Sequence, residues 1–278
     1  MKLIKKKEVL FMKKKIALLL AIVTLVASMF AFAGCSKNEA TAEKTDLDYI
    51  KEKGTLVVGI TDFAPMDYQD ESGKWIGFDA DMATAFAESL GVKAEFIEID
   101  WDNKTLELNN KSIDCVWNGM TLDDEVTAAM ECSKPYCNNA QTVVMAKADA
   151  EKYNTVDACK ALSFAVEKGS AGSKEATANG FTVVEVDTQA KALLEVKSGN
   201  SDATVIDKLM AGAMIGEGTD YADLTTVLDL NAEEYGVGFR KGSNMADELN
   251  KFFDACAADG TALQVAEEYG VQEALLIK

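Results

Sequence analysis

An α/β fold in two lobes, with mostly parallel sheets, is what this sequence predicts, and three observations predict it. Short β-branched runs alternate with helix-periodic segments from about residue 55 to residue 269. The alternation passes through more cycles than one small sheet can hold. The chain has 278 residues, 48% hydrophobic and 27% charged, which is enough for two ordinary domains and too apolar for disorder.

The elements follow in order. Residues 36–46 are polar and read as a flexible tether. Residues 55–60 (TLVVGI) form the first strand. In 79–90, Met82, Phe86 and Leu90 share one helical stripe, and Gly91 stops the helix. A strand at 94–99, a short helix at 105–110, a buried-type strand at 113–117 and another at 141–146 complete the first cycle. The second has strands at 162–166, 182–186 and 203–206. Its helices lie at 173–179, at 189–198 with Ala192, Leu193 and Val196 inward, and at 208–215. A strand at 235–240 and helices at 245–258 and 262–269 close the chain. In such folds the crevice lies at the carboxyl ends of the strands.

The N-terminus reads as an address. A basic stretch through Lys15 precedes an apolar run at 16–32, then Ala33-Gly34-Cys35 and a polar segment. This is the layout of a secretory signal, and the Cys after Ala-Gly resembles a bacterial lipoprotein signal, which implies cleavage before Cys35 and lipidation of its thiol. Phe32 stands where such signals carry Leu, and Met12 opens a second, more compact signal, so either Met1 or Met12 is a possible start. The competing reading is an uncleaved membrane span, for which the run is about long enough.

Composition narrows the function. The net charge is −18. Residues 1–34 hold seven of the 28 basic and one of the 46 acidic residues, leaving 21 against 45, a charge of −24. So acidic a body repels phosphate backbones, and no nucleic-acid partner is expected. The chain has no His, which removes the commonest general base, the usual serine-hydrolase triad and most zinc sites. Neither a metal nor a cofactor is expected. Six Cys occur without metal-ligand spacing, and buried thiols are the default. Cys132 and Cys137 flank a Pro-Tyr turn and are either free or paired.

Seven motifs in order carry a resemblance: LVVGITDFAPMDY, SGKWIGFDADMATAFAESLGV, WNGMTLDDE, VEKGSAGS, SDATVIDK, YGVGFRKGS and DGTALQVAEEYG. Over about 47–278 the sequence resembles the bacterial solute-binding proteins of family 3, the polar amino-acid binding proteins. The resemblance implies a type II periplasmic-binding-protein (Venus flytrap) fold with two hinge strands. Lobe one would be 47–143 with 238–278, lobe two 147–234, and the hinge would lie near 142–147 and 235–239. A ligand that touches both lobes only in the closed form favours closure.

By that resemblance, Asp207 pairs with the ligand's ammonium, and a carboxylate at a strand's carboxyl end suits this charge-assisted bond. The competing role is an N-cap for the helix after it. Gly119, Met120 and Thr121 form the turn that touches ammonium and carboxylate, glycine letting the backbone come close. Ser170 and Ala171 precede a helix and offer free N–H groups to an anion. Trp101 and Phe63 match aromatic positions that stack on the ligand, and Asp62 lies beside the cleft. The family's carboxylate-clamping Arg is absent: Val126 holds its place, and the chain's one Arg is Arg240. With no planar fork, backbone amides and a Lys such as Lys168 hold the carboxylate, or the ligand lacks one.

The expected function is that of an extracytoplasmic, lipid-anchored, monomeric binding protein. It passes a small polar solute, foremost an amino acid, to ABC permease subunits. No nucleophile–base pair suggests an enzyme. The alternatives are a ligand-sensing surface lipoprotein and a periplasmic dehydratase on the same scaffold.

Overall fold

The computed structural model describes residues 44–278. The expected signal peptide at 1–34, Cys35 and nearly all of the tether lie outside the described residues. The tether's expected end at 46 is corrected: Asp46 already opens α1 (Asp46–Lys53). There the Thr45 hydroxyl accepts the Asp48 N–H while the Asp48 carboxylate accepts the Thr45 N–H, with acids in the first turn and Lys51 and Lys53 in the last.

Strand β1 (Thr55–Ile60) is buried at five of its six positions. The small hairpin of β2 (Tyr68–Gln69) and β3 (Trp75–Ile76) leads into α2 (Phe78–Ser89). Then come β4 (Lys93–Glu98), a 3-10 turn at Trp101–Asn103, and α3 (Lys104–Asn109). The segment ends with β5 (Cys115–Thr121), α4 (Asp124–Ala129), β6 (Met130–Cys132) and β7 (Cys137–Asn139). The chain next builds a second sheet. It comprises β8 (Gln141–Ala146), α5 (Val156–Cys159), β9 (Ser163–Glu167), α6 (Ala171–Ala178), β10 (Thr182–Val186), α7 (Gln189–Lys197), β11 (Ala203–Asp207), α8 (Lys208–Met214) and β12 (Leu224–Asp229). It returns through β13 (Glu233–Arg240) to α9 (Met245–Asp259) and α10 (Thr261–Tyr269).

The first sheet has the order β4-β1-β5-β13-β6, with β7 also on β13, and the second β10-β9-β11-β8-β12. This is the two-lobe α/β fold expected. The sheets are mixed rather than mostly parallel. Strands joined by crossover helices pair in parallel (β1 with β4 and β5, β9 with β10 and β11), whereas β8 and β13 pair antiparallel with all their neighbours. The reason is connectivity. These two strands enter directly from the other sheet, with no helix to bring the chain back to the starting end.

The chain passes between the two sheets at two places. The chain leaves the first sheet at Asn139 and enters the second at Gln141, then leaves it at Asp229 and re-enters the first at Glu233. The expected hinges at 142–147 and 235–239 fall almost wholly within β8 and β13. A β-branched run such as TVVMA belongs in a sheet interior, with every residue from Thr142 to Met145 buried.

Arg240 serves the first lobe's interior. It is buried, its Nε donates to Asp46 at 3.0 Å, Nη1 to the Ile113 carbonyl at 2.9 Å, and Nη2 to Asp114 at 3.3 Å. Asp114 also accepts Lys53 and the Val57 N–H. Breaking one side of such a buried pair costs about 3–5 kcal/mol, so the one Arg is committed to folding. All five cysteines of the described residues are free thiols, Cys132 and Cys137 included.

Candidate functional site

The carboxyl ends of β5, β9 and β11 converge on one narrow cleft, which the 3-10 turn at Trp101 and the start of α6 also line. Seven of the nine residues expected there are among its lining: Trp101, Gly119, Met120, Thr121, Ser170, Ala171 and Asp207. Asp62 and Phe63 are not. In the loop after β1 the two side chains part: Asp62 is exposed, and Phe63 turns beneath the cavity, 1% exposed, edge-on to Tyr235. Phe63 acts on the site from below. A Cβ at Gly119 would lie 2.5 Å from its ring, and Gly119 has φ +55, so that turn needs glycine twice over.

Asp207 ends β11 with its side chain buried. Its Oδ1 accepts Asn139 Nδ2 at 2.6 Å, Gln141 Nε2 at 3.0 Å and the Tyr235 hydroxyl at 2.6 Å, and its Oδ2 accepts Gln189 Nε2 at 2.6 Å. No side-chain bond caps α8; the Leu209 N–H goes to Asn139 Oδ1 instead. The N-cap reading of Asp207 therefore fails on geometry. Oδ1 is saturated, whereas Oδ2 holds one donor and keeps room for another. Burial, then the nearby Glu233, push the Asp207 carboxyl up to about 7, against the pull of its hydrogen bonds. Glu233 shares the donors Asn139 (2.7 Å) and Gln141 (2.8 Å) and also accepts the Thr121 hydroxyl at 3.0 Å. The two chain crossings are thus stitched to the floor of the site.

A second acid lies close by. Glu167 ends β9, is 2% exposed, and its Oε1 has no partner among the described residues. Burial and Asp207 raise its carboxyl to about 8.

Sequence reasoning missed Lys104, Asn118, Asp123, Lys174 and Gln189, all of which line the cavity. Asn118 clasps Thr61, accepting its N–H at 3.0 Å and donating to its hydroxyl at 2.8 Å. The Gly119 N–H and the Tyr136 hydroxyl both donate to buried Asp79 at 2.7 Å. Lys174 on α6 reaches across to Asp123 and Glu125, 2.7 Å from each. Lys168, the cation expected to serve the carboxylate, pairs with Asp102 at 2.7 Å and does not line the cavity. Trp101 is 7% exposed, with the Lys104 ammonium 4.8 Å from its ring centroid. Ser170 caps α6 by accepting the Ser173 N–H at 3.0 Å. The identity of a polar or charged residue in the sequence carries no sign of which partner it will meet across a cleft, so these residues had no readable signal.

Residues 56–272 match the family described as bacterial extracellular solute-binding proteins, family 3. The L-cystine-binding protein of Escherichia coli K12 is 29% identical over 234 residues, covering 82% of this chain and 87% of its own. Among solved structures, a mutant of ArgBP from T. maritima superposes with a TM-score of 0.75 at 30% identity, covering 81% of this chain and 98% of that one. An ancestral amino acid-binding protein, a precursor of cyclohexadienyl dehydratase, superposes at 0.73 and 31% identity, covering 80% and 98%.

Proposed function

Because the chain belongs to the bacterial extracellular solute-binding proteins, family 3, we propose that it captures an amino acid outside the membrane and hands it to the permease of an ABC importer. The observation that carries this reading is the buried carboxylate of Asp207, facing the cavity with acceptor capacity to spare and held in place by four side-chain donors. A carboxylate held rigidly in a narrow, largely buried cleft is what a guest ammonium needs. The lobes are taken as 46–139 with 233–278 and 141–229, hinged at 140 and 230–232, with one chain supplying the whole site.

Two relatives' names point to probes: cystine for one, and arginine as the cargo to test against the other's fold. The experiment is a thermal-shift screen of L-amino acids and their amines. A ligand at 100 times its Kd adds about 2.7 kcal/mol of stability, or roughly 5–10 °C for a chain of this size. A screen in which no amino acid raises the midpoint refutes the reading.

The dehydratase alternative finds less support. A dianionic acid would need several cations in the cavity, and of the two lysines that line it, Lys174 is already neutralised by two carboxylates. The lipid anchor at Cys35 rests on the sequence of residues 1–35. Cys35→Ala is expected to move the protein from the membrane to the soluble fraction, and membrane retention would favour an uncleaved span instead.

A further inference from the structure

We propose that Lys104 holds the guest's carboxylate, the task for which this chain has no arginine; the inference rests on the amino-acid reading above. The case is one of valence and charge. An ammonium has three N–H donors. Lys104 Nζ spends two on backbone carbonyls, Trp101 at 3.1 Å and Gly169 at 3.3 Å. The third has no partner among the described residues, and the side chain lines the cavity.

Its charge also has no carboxylate in direct contact among the described residues. Carbonyl acceptors and the Trp101 ring steady an ammonium without neutralising it, whereas Lys174 sits 2.7 Å from each of two carboxylates. Among the described residues that line the cavity, Lys104 is therefore the one cation without a carboxylate partner. Burial first, then the neighbouring Lys174, push its ammonium's proton affinity down, against the pull of the more distant carboxylates Glu167, Glu125 and Asp123.

Its position suits the task. Lys104 starts α3 in the first lobe, and Asp207 ends β11 in the second. One cavity between them thus presents a cation and an anion, complementary to a zwitterion. The Ser170 and Ala171 segment at the start of α6 lines the same cavity next to Gly169, whose carbonyl Lys104 holds. Lys104 joins the lobes through that carbonyl, so a guest carboxylate placed on its third N–H would tighten an existing bridge. Val126, buried in the wall, offers neither charge nor donor.

The test uses the full chain in detergent, comparing wild type with Lys104→Met and Lys104→Arg by calorimetric titration. The probes are matched pairs that differ by one carboxylate, L-arginine with agmatine and L-histidine with histamine, and one that differs by two, L-cystine with cystamine. The readout is the ratio of acid to amine affinity, the amine entered as a limit where it does not saturate. Lys104→Met is expected to weaken the acid about 10- to 100-fold with the amine unchanged, and Lys104→Arg to restore much of the loss. An unchanged ratio overturns the inference, whether both affinities fall together, as a mere closing contact would make them, or neither falls. If wild type binds no amino acid, the functional reading falls and takes this inference with it. If wild type binds and Lys104→Met binds equally well, only the inference falls. An unaltered thermal midpoint in the variant shows that the site was lost without the fold.

Discussion

Asp207→Asn is expected to weaken amino-acid binding severely while the protein still folds. The reason is the division of labour at that carboxylate. Its hydrogen bonds to Asn139, Gln141, Tyr235 and Gln189 hold the floor of the site together across both sheets, and its charge serves the guest. Asn keeps a carbonyl oxygen for the three donors on Oδ1, loses the acceptor facing Gln189, and removes the charge. Truncating one partner of a buried charge pair costs about 2–5 kcal/mol, which weakens binding about 30- to several-thousand-fold. Asp207→Ala confounds the two roles. It strands four donors, each worth about 1–3 kcal/mol when buried unpaired, and lowers the thermal midpoint together with the affinity. Calorimetric titration of Asp207→Asn, with its melting curve alongside, isolates the charge. Binding within tenfold of wild type in a folded variant would remove Asp207 from the ammonium's partners.

Much of this was legible in the chain itself, for stated reasons. The β-branched runs that became β1, β9 and β11 sit within a residue or so of their expected places, because a buried strand must be apolar along its length, and the unburied edge strand β10 showed through its β-branched residues. Asp207 was visible as a carboxylate ending such a run. Its partners were not: Asn139, Gln141, Gln189 and Tyr235 come from three other stretches of chain and meet only once β8 has threaded between β11 and β12. The same holds for Lys104, which reads as an ordinary helix-start lysine until Gly169 of the other lobe is placed against it. The two-residue hairpin and the three-residue strands β6 and β7 are too short to show a period. Asp62 and Phe63 were misjudged because a resemblance fixes the loop but not which way successive side chains turn.

Affinity for an amino acid is expected to fall about tenfold for each pH unit below 7 and to level off above it. The free Asp207 carboxyl titrates at about 7 because burial and Glu233 disfavour its charge. A guest ammonium pairs only with the ionised form, so below that pH each binding event must first displace a proton. Between pH 8 and pH 5 the weakening is about 100-fold for one such group. Proton release on binding should rise from about half a proton at pH 7 to nearly one at pH 5, measurable by calorimetry in buffers of different ionisation enthalpy. The unliganded protein must respond with the opposite sign. Asp207 and Asp79 at about 7, and Glu167 at about 8, bind protons more tightly folded than unfolded. The stability they contribute is full below the unfolded carboxylate range near pH 4 and is lost as pH rises through 7 to 8. One series of melts therefore carries both results: the unliganded midpoint falls from pH 5 to pH 8 while the increment added by a fixed concentration of amino acid grows. An increment that stays constant across that range would mean that the ammonium's partner is a carboxylate already ionised at pH 5, and Asp207, for all its placement, would not be it.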